Sequence, residues 1–202
     1  VAQVRRLPVV FHVAAVGGEP IFDTEEVTSW LAVANGHFAD ADVRFETDAV
    51  RVLPAGRAVL RNIRERRSLA RFLRPRRVNV FIVEAILDPW PSAATVRAAA
   101  AQGFEPSGRL GGAHILVSGR TPETYIIVRR GSGPLTLTHE LGHFLSAPHH
   151  RDPANIMSYG RHRTHFDERQ IRAFRYRARR YQREGTLPRR QGPQGSQAPT
   201  ST

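Results

Sequence analysis

Two histidines four residues apart place the strongest constraint on what this chain can fold into. His139 and His143 enclose the sequence His-Glu-Leu-Gly-His, and on an α-helix the side chains of residues i and i+4 leave the same face, one turn apart. Two neutral imidazoles at that separation can bind one Zn²⁺ ion. Glu140 directly follows the first histidine, where its carboxylate can act as general base for a water that the metal activates. The motif therefore predicts a helix that carries a zinc site.

A third histidine follows the pair at a point where the helix must have ended. His149 lies six residues after His143. Pro148 stops any helix before it, so the chain turns there and can present His149 from another direction. His150 is adjacent and is the alternative third ligand. Three imidazoles leave one coordination position open, which is typical of a catalytic rather than a structural zinc site.

A methionine and a tyrosine complete the pattern. Met157 lies eight residues after His149, and Tyr159 lies two residues further on. The whole segment resembles the metzincin zinc endopeptidases, in which the longer motif HExxHxxGxxH is followed by a methionine-containing turn beneath the metal. The short gap between His149 and Met157 is similar to that of the compact matrixin-type members. The pair Met157 and Tyr159 is more similar to serralysins and astacins.

The resemblance implies a role for each residue of the pattern. The implied ligands of one catalytic Zn²⁺ ion are His139, His143 and His149. Glu140 would be the general base, and Met157 a structural residue packed under the histidines. Tyr159 would donate a hydrogen bond to the developing oxyanion and could also bind zinc in the resting enzyme. The implied activity is hydrolysis of peptide bonds within a protein or peptide substrate.

One position departs from the family pattern. Ser146 stands where the metzincins have glycine. Glycine is used there because the helix ends in a left-handed turn, which costs a residue with a Cβ roughly 1–2 kcal/mol. Serine could accept that turn with help from local hydrogen bonds. A slightly different turn would leave His149 and His150 as alternative ligands, and the family spacing favours His149.

Hydrophobic periodicity predicts alternating strands and helices before the motif. The predicted strands span 7–16, 42–47 with a hairpin partner continuing to Leu53, 77–84, 111–117 and 124–129. The predicted helices span about 24–38 with a cap at Asp23 or Thr24, about 57–74, 92–101 and, after the motif, 167–182 with a capping box. This order is similar to that of the metzincin upper lobe. It implies an α+β fold of the α/β/α zincin type: a mixed twisted sheet with an antiparallel edge strand, an active-site helix and a small C-terminal lobe ending in a helix.

The resemblance also implies domain limits and a substrate-binding strand. The catalytic domain would span 1–184, with an upper lobe of about 1–145 and a lower lobe of about 146–184. In the family an exposed edge strand pairs with extended substrate through its free N–H and C=O groups. The matching substrate-binding residues are Gly112, Ala113, His114 and Ile115, with His114 lining the rim rather than binding the metal. Residues 185–202 are rich in Pro, Gln, Gly, Ser and Thr, and we expect a disordered tail there.

Composition narrows the class of protein further. The 202 residues suffice for one domain with a sizeable core or for two small lobes around a cleft. The chain has no cysteine, which excludes disulfides, thiolate zinc ligands and a cysteine nucleophile. No apolar run approaches the ~20 residues of a membrane span. We expect a monomer in a secreted or extracytoplasmic location, with any signal peptide outside the printed chain.

The charge of the chain supports a competing class of function. The formal net charge is +12, and every one of the 30 basic residues is arginine. Residues 51–77 hold ten arginines and one acid, and residues 161–190 hold eleven arginines and three acids. The arginine excess is typical of a GC-rich genome, but it could also bind polyanions or steer acidic substrates. The alternative function is therefore a non-catalytic, arginine-rich polyanion-binding protein on a zincin scaffold. Nucleic acid is a less favoured partner because no nucleic-acid-binding motif is present.

Two further histidines lie close after the tyrosine. His162 and His165 bring the number of histidines between 139 and 165 to six of the nine in the chain. They could line a specificity pocket or bind a second metal ion. Each is also a less favoured alternative to His149 as the third zinc ligand.

Overall fold

The computed structural model describes residues 3–87, 109–117, 123–160 and 162–188. In chain order its strands are β1 (Arg5–Val13), β2 (Ala15–Val16), β3 (Glu19–Pro20), β4 (Val43–Val52), β5 (Val59–Leu60), β6 (Val78–Val83), β7 (Ala85–Leu87), β8 (Arg109–Leu110), β9 (Gly112–Val117) and β10 (Glu123–Arg129). Its α-helices are α1 (Thr24–Phe38), α2 (Ile63–Ser68), α3 (Pro134–Phe144) and α4 (Glu168–Arg183). None of these helices is both long enough and apolar enough to cross a membrane.

The central sheet has five strands in the order β4-β1-β6-β10-β9. Strands β4, β1, β6 and β10 are parallel to one another, whereas β9 runs antiparallel to β10. Among the described residues, β9 pairs only with β10 and forms one edge of the sheet. The mixed sheet with an antiparallel edge strand is therefore confirmed.

The two faces of the sheet carry different helices. On one face Phe45 of β4 contacts Phe38 of α1 at a ring-centroid distance of 5.2 Å, and α1 also packs against α3. On the other face His12 stacks on Phe81 at 4.5 Å. There the Tyr125 hydroxyl donates a hydrogen bond of 2.8 Å to a backbone carbonyl of α2. Helices α1 and α3 thus share one face, and the arginine-rich α2 lies on the opposite one.

Helix α1 forms as its sequence predicts. The Asp23 carboxylate accepts a hydrogen bond from the Glu26 backbone N–H, and the Glu26 carboxylate accepts one from the Asp23 N–H, at 2.8 and 2.9 Å. This reciprocal capping box satisfies two donors that the first helical turn leaves unpaired. The buried residues of α1 follow the helical period: Val27, Leu31, Ala34 and Phe38.

The predicted hairpin after residue 47 is wrong. Strand β4 continues for ten residues and stays parallel to β1 over its whole length. The register shifts between Val9 and Val10, opposite Thr47 and Ala49, so Asp48 is accommodated as an irregularity in β4. A bulge of this kind lets the chain absorb an extra residue without turning back.

The predicted basic helix over 57–74 is also wrong in its extent. Val59 and Leu60 instead form a short strand that pairs with Ala85 and Ile86. Asn62 then begins a helix of six residues, because its side chain accepts a hydrogen bond from the Glu65 N–H at 2.9 Å. A 3₁₀ segment follows it. The predicted helix at 92–101 lies outside the described residues.

The C-terminal helix α4 packs against the rest of the domain. In α4 the Asp167 capping box is present, and Phe174 and Ala178 are buried. Beyond the helix, Leu187 is only 1% exposed, and its N–H donates to the Tyr181 carbonyl at 3.1 Å. The predicted tail begins at 185, yet Leu187 belongs to the packed core.

Two truncations test the contribution of this leucine. Removal of everything after Glu184 deletes Leu187, and we expect the melting temperature to fall by about 4–10 °C, since burying a leucine contributes roughly 1.5–3 kcal/mol. Removal of everything after Pro188 keeps Leu187 and should leave the melting temperature unchanged, because the deleted segment offers very few apolar side chains to bury. Differential scanning calorimetry measures both. Equal values for the two truncations would show that Leu187 contributes nothing.

Candidate metal centre

Helix α3 carries the histidine motif and is largely buried. It begins at Pro134, which suits the first helical turn because proline lacks only an N–H that would have no partner there. His139 and Glu140 are 6% and 5% exposed. The predicted helix is confirmed, and its buried setting places polar groups where each needs a partner or a ligand.

The chain leaves α3 through a left-handed residue, as the motif requires. Ser146 has a φ of 75°. Its N–H donates to the His143 carbonyl at 2.8 Å, and the next N–H, that of Ala147, donates to the Gly142 carbonyl at 2.9 Å. Serine thus adopts the turn that glycine makes more easily, and the turn brings the chain back toward the helix.

Three histidines converge beyond this turn. His139, His143 and His149 each offer one ring nitrogen, and the three nitrogens lie within 4.8 Å of one another. The Nε2 atoms of His143 and His149 are 3.1 Å apart. Two nitrogens bound tetrahedrally about 2.0–2.1 Å from a zinc ion would be about 3.3 Å apart. The group therefore has the donor type and the spacing that fit Zn²⁺.

Backbone carbonyls fix the tautomers of two of these histidines. His139 Nδ1 lies 2.8 Å from the Ile156 carbonyl oxygen, and His143 Nδ1 lies 2.8 Å from the Ala147 carbonyl oxygen. A carbonyl can only accept, so each Nδ1 carries the proton and each Nε2 keeps its lone pair. Such an outer hydrogen bond orients the ring for metal binding.

Burial keeps the three imidazoles neutral. It lowers the pKa of His139 to about 3 and that of His149 to about 4, and it also lowers the pKa of His143. The nearby His143 lowers the pKa of the other two further, because one imidazolium disfavours a second. Neutral imidazole is the form that binds a metal, so all three rings are in the ligating form at pH 7.

The other histidines of this region lie in a separate network. His150 Nε2 is 3.4 Å from an Asp167 carboxylate oxygen, and His165 Nε2 is 3.5 Å from that of Asp152. The Asp152 N–H also donates to His150 Nδ1 at 3.1 Å. Within the part of the chain that the structure describes, His139, His143 and His149 are the only three histidine or carboxylate side chains whose ligand atoms converge to within 4.8 Å. His150 and His165 are thus directed to carboxylates, and His162 is exposed.

Glu140 lies between α3 and the edge strand. A Cβ built on Gly112 would approach the Glu140 Oε1 atom to 2.6 Å, so only glycine leaves space for the carboxylate there. Burial raises the pKa of Glu140 to about 8, and the Arg163 guanidinium partly opposes that shift. A divalent cation beside the carboxylate would favour its ionised form.

Strand β9 brings one further histidine next to the triad. His114 follows Gly112 by two residues, so both project to the same side of the strand. Its ring is nearly parallel to that of His143, at an interplanar angle of 17° and a centroid distance of 6.4 Å. Burial lowers the pKa of His114 to about 4. His114 lies outside the group of three converging nitrogens, and a role of Gly112–Ile115 in substrate binding stays a prediction.

Met157 and Tyr159 both lie against the triad region. Met157 is fully buried, and a Cβ on Gly142 would collide with its thioether sulfur. The Met157 N–H donates to the Asn155 side chain at 2.8 Å. The Tyr159 hydroxyl is 3.1 Å from His149 Nε2. Burial raises the pKa of Tyr159, and the Glu140 charge adds to the effect, so the phenol keeps its proton at neutral pH.

Sequence patterns missed two contributors to this site. The first is Asn155, whose amide donates to the Gln170 side chain at 2.8 Å and holds the segment before Met157 to α4. The second is Arg163, whose Nη1 lies 3.4 Å from His139 Nδ1 and 3.4 Å from the Ile156 carbonyl oxygen. Its position within a run of arginines conceals it in the sequence. The contact of Asn155 with Gln170 is a tertiary one, which no pattern in the sequence marks.

No protein-family model and no curated protein matches this sequence. Solved structures nevertheless match the fold. Metalloproteinase-II from Bacteroides fragilis has a TM-score of 0.58 at 14% identity over 87% of this chain and 53% of that one, so this chain spans about half of its length. Archaemetzincin from Methanopyrus kandleri has a TM-score of 0.52 at 14% identity over 86% of this chain and 96% of that one. Mirolysin, solved in complex with a compound, has a TM-score of 0.58 at 13% identity over 93% of this chain and 100% of that one.

At these identities the likeness establishes the fold. The chain has the mixed α/β fold of zincin-like peptidases, with a mostly parallel sheet and an antiparallel edge strand. The site adds a group of three histidines that fits Zn²⁺. The chain therefore combines this fold with a three-histidine site for a metal ion.

Replacement of single histidines tests the ligand set. We expect one zinc ion per chain in the purified protein, and its loss in His149→Ala, because His149 supplies one of the three converging nitrogens. His150→Ala is the matched control and should keep its zinc, since His150 contacts Asp167 instead. Atomic absorption on dialysed protein measures the zinc content. Full zinc in His149→Ala with loss in His150→Ala would reverse the assignment.

Glycine at position 146 tests the turn. Ser146→Gly should raise the free energy of unfolding by about 0.5–1 kcal/mol, because removal of the Cβ relieves the left-handed strain while glycine adds some entropy to the unfolded chain. Denaturant unfolding of the two proteins measures the difference. Ser146→Ala is the control, because alanine keeps the Cβ and should gain no stability. A lower free energy of unfolding for Ser146→Gly would contradict the claim that the left-handed conformation of Ser146 is strained.

Proposed function

We propose that this protein is a zinc-dependent endopeptidase of the metzincin type, acting in a secreted or extracytoplasmic location. One observation carries the proposal: three neutral imidazoles converge to within 4.8 Å, next to a buried glutamate that directly follows the first of them. The fold, which it shares with zincin-like peptidases, supports the same activity. When bound by the three histidines, zinc would supply the Lewis acidity that polarises a peptide carbonyl and acidifies a water molecule.

Glu140 is the proton carrier of the proposed reaction. Its carboxylate takes the proton of the attacking water and passes it to the nitrogen of the leaving amine. Gly112 leaves the space that this carboxylate needs beside α3. Burial raises the pKa of Glu140, which favours uptake of a proton, and a bound divalent cation would favour the ionised carboxylate that accepts it.

Tyr159 and the edge strand act on the substrate in this proposal. The Tyr159 phenol keeps its proton and lies beside His149, so its O–H can donate to negative charge that develops on the carbonyl oxygen. Strand β9 has one edge without a partner among the described strands. An extended peptide can pair with that edge through its backbone. Met157, packed under Gly142, supports the helix from below as a structural residue.

A library of quenched peptides tests the activity directly. We expect the zinc-loaded protein to cleave internal peptide bonds and to lose this activity with a chelator. Glu140→Gln should retain its zinc and lose at least ~10²-fold in turnover, the usual effect of removing a positioned general base. Glu168→Gln makes the same chemical change at an exposed glutamate of α4 and is the matched control. Normal turnover in Glu140→Gln would overturn the mechanism, and loss of its zinc would make Glu140 a ligand.

A second candidate function is binding of polyanions by the outer face of α4. Four arginines on this helix are exposed: Arg169, Arg172, Arg179 and Arg183. Tyr176 lies among them and is 60% exposed. Arg172 is in part neutralised by Glu168 at 3.1 Å. Binding of a polyanion without cleavage of any peptide would favour this candidate.

The salt dependence of kcat/KM tests whether the charge of these arginines attracts acidic substrates to the peptidase over a long range. If their field steers acidic substrates, kcat/KM for an acidic peptide should fall steeply between about 50 and 200 mM salt. A matched neutral peptide should change little. An equal response of both peptides would show that the arginine-rich segments do not act on the substrate.

A further inference from the structure

Arg163 places a positive charge beside the metal centre without an acidic partner among the described ion pairs. Its Nη1 atom lies 3.4 Å from His139 Nδ1, which carries a proton and cannot accept a hydrogen bond, and 3.4 Å from the Ile156 carbonyl oxygen, which is a long and weak contact. Its Nε atom is buried and has no hydrogen-bond partner among the described residues. A guanidinium has five N–H donors and stays protonated, so most of the donors of Arg163 remain free for another group.

Three other half-buried arginines of the fold each have an acidic partner. Arg6 pairs with Glu46, Arg77 pairs with Asp48 at 2.6 Å, and Arg175 pairs with Asp42 at 2.9 Å. None of the ion pairs between described residues includes Arg163. A partly desolvated cation that forms no ion pair is unfavourable, and Arg163 therefore suits an anion that arrives from outside the chain.

Glu140 is the carboxylate next to Arg163, and it is assigned to proton transfer in the proposed reaction. Glu140 interacts with Arg163 electrostatically, but the two form no ion pair among those of the described residues, and Glu140 is the proposed general base. Arg163 contacts the back of His139, the residue directly before Glu140. A group bound by Arg163 would thus lie close to the metal centre.

We propose that Arg163 is a specificity-determining residue that binds a carboxylate of the substrate near the scissile bond. The planar guanidinium fork matches a carboxylate with two parallel hydrogen bonds. The carboxylate belongs either to an aspartate or glutamate side chain next to the scissile bond or to the C-terminus of a short peptide. This inference rests on the proposed peptidase function. It gives that peptidase a preference for acidic substrates, which depends on one residue.

The test compares matched peptides that differ by one charge. Peptides amidated at the C-terminus carry glutamate or glutamine at each position flanking the scissile bond, and a second set has a free C-terminus. In the wild-type protein we expect kcat/KM for the best glutamate peptide to exceed that of its glutamine partner by about 10-fold or more, the effect of one charge-assisted hydrogen bond. A preference for the free C-terminus instead would assign the carboxylate to the peptide end.

Substitution of Arg163 then identifies the source of the preference. Arg163→Gln should bring the ratio between the two peptides to about one, mainly through the glutamate peptide, and should keep the zinc content. Arg163→Glu should reverse the preference toward a peptide with lysine at that position. Arg151→Gln, at an exposed arginine of the same loop, is the control and should keep the wild-type ratio. An equal loss for both peptides, or a loss of zinc, would overturn the inference and make Arg163 a support for His139.

Binding measurements separate this inference from the peptidase function. Zinc-loaded Glu140→Gln, with and without Arg163→Gln, is titrated with the same amidated peptides by calorimetry. Tighter binding of the glutamate peptide that disappears with Arg163→Gln supports the inference even when wild-type protein cleaves no peptide, a result that would overturn the proposed function alone. Equal affinity for both peptides in the presence of Arg163 would overturn the inference.

Discussion

The metal centre depends on two hydrogen bonds from imidazole N–H groups to backbone carbonyls. His139 donates to Ile156 and His143 donates to Ala147, each at 2.8 Å. These bonds set which nitrogen of each ring is free, and they tie α3 to the chain that follows it. The second bond exists because Ser146 adopts a left-handed conformation and returns Ala147 to the helix. A strained turn outside the site therefore determines the geometry within it.

Close packing links the site to the sheet on one side and to the C-terminal segment on the other. Gly112 lets the edge strand approach Glu140, while Gly142 lets Met157 approach α3 from below. Both glycines contribute by having no side chain, so the sequence alone does not show that either one belongs to the site. Asn155 joins the Met157 segment to Gln170 of α4. The functional side chains are thus held between regular elements, a setting that keeps them in place before a ligand binds.

Much of this arrangement follows from sequence, and the exceptions have physical reasons. Helical spacing and a proline predict His139, His143 and His149 because metal binding needs fixed donors at fixed separations. The capping boxes of α1 and α4 are equally local and are confirmed. The hairpin after residue 47 and the long helix at 57–74 fail because a register irregularity in β4 and a strand pairing with β7 depend on partners distant in sequence. The role of Arg163 cannot be predicted from the sequence for the same reason, since its proximity to His139 is a tertiary contact.

X-ray absorption at the zinc K-edge of the purified protein tests the central claim most directly. The account predicts one zinc ion per chain with three imidazole nitrogens at about 2.0–2.1 Å and a remaining position filled by a light atom from solvent. It also predicts that His149→Ala alters this spectrum, whereas His150→Ala leaves it unchanged. A spectrum with four imidazoles, or with Glu140 as a ligand, would contradict a site that keeps one position open for catalysis.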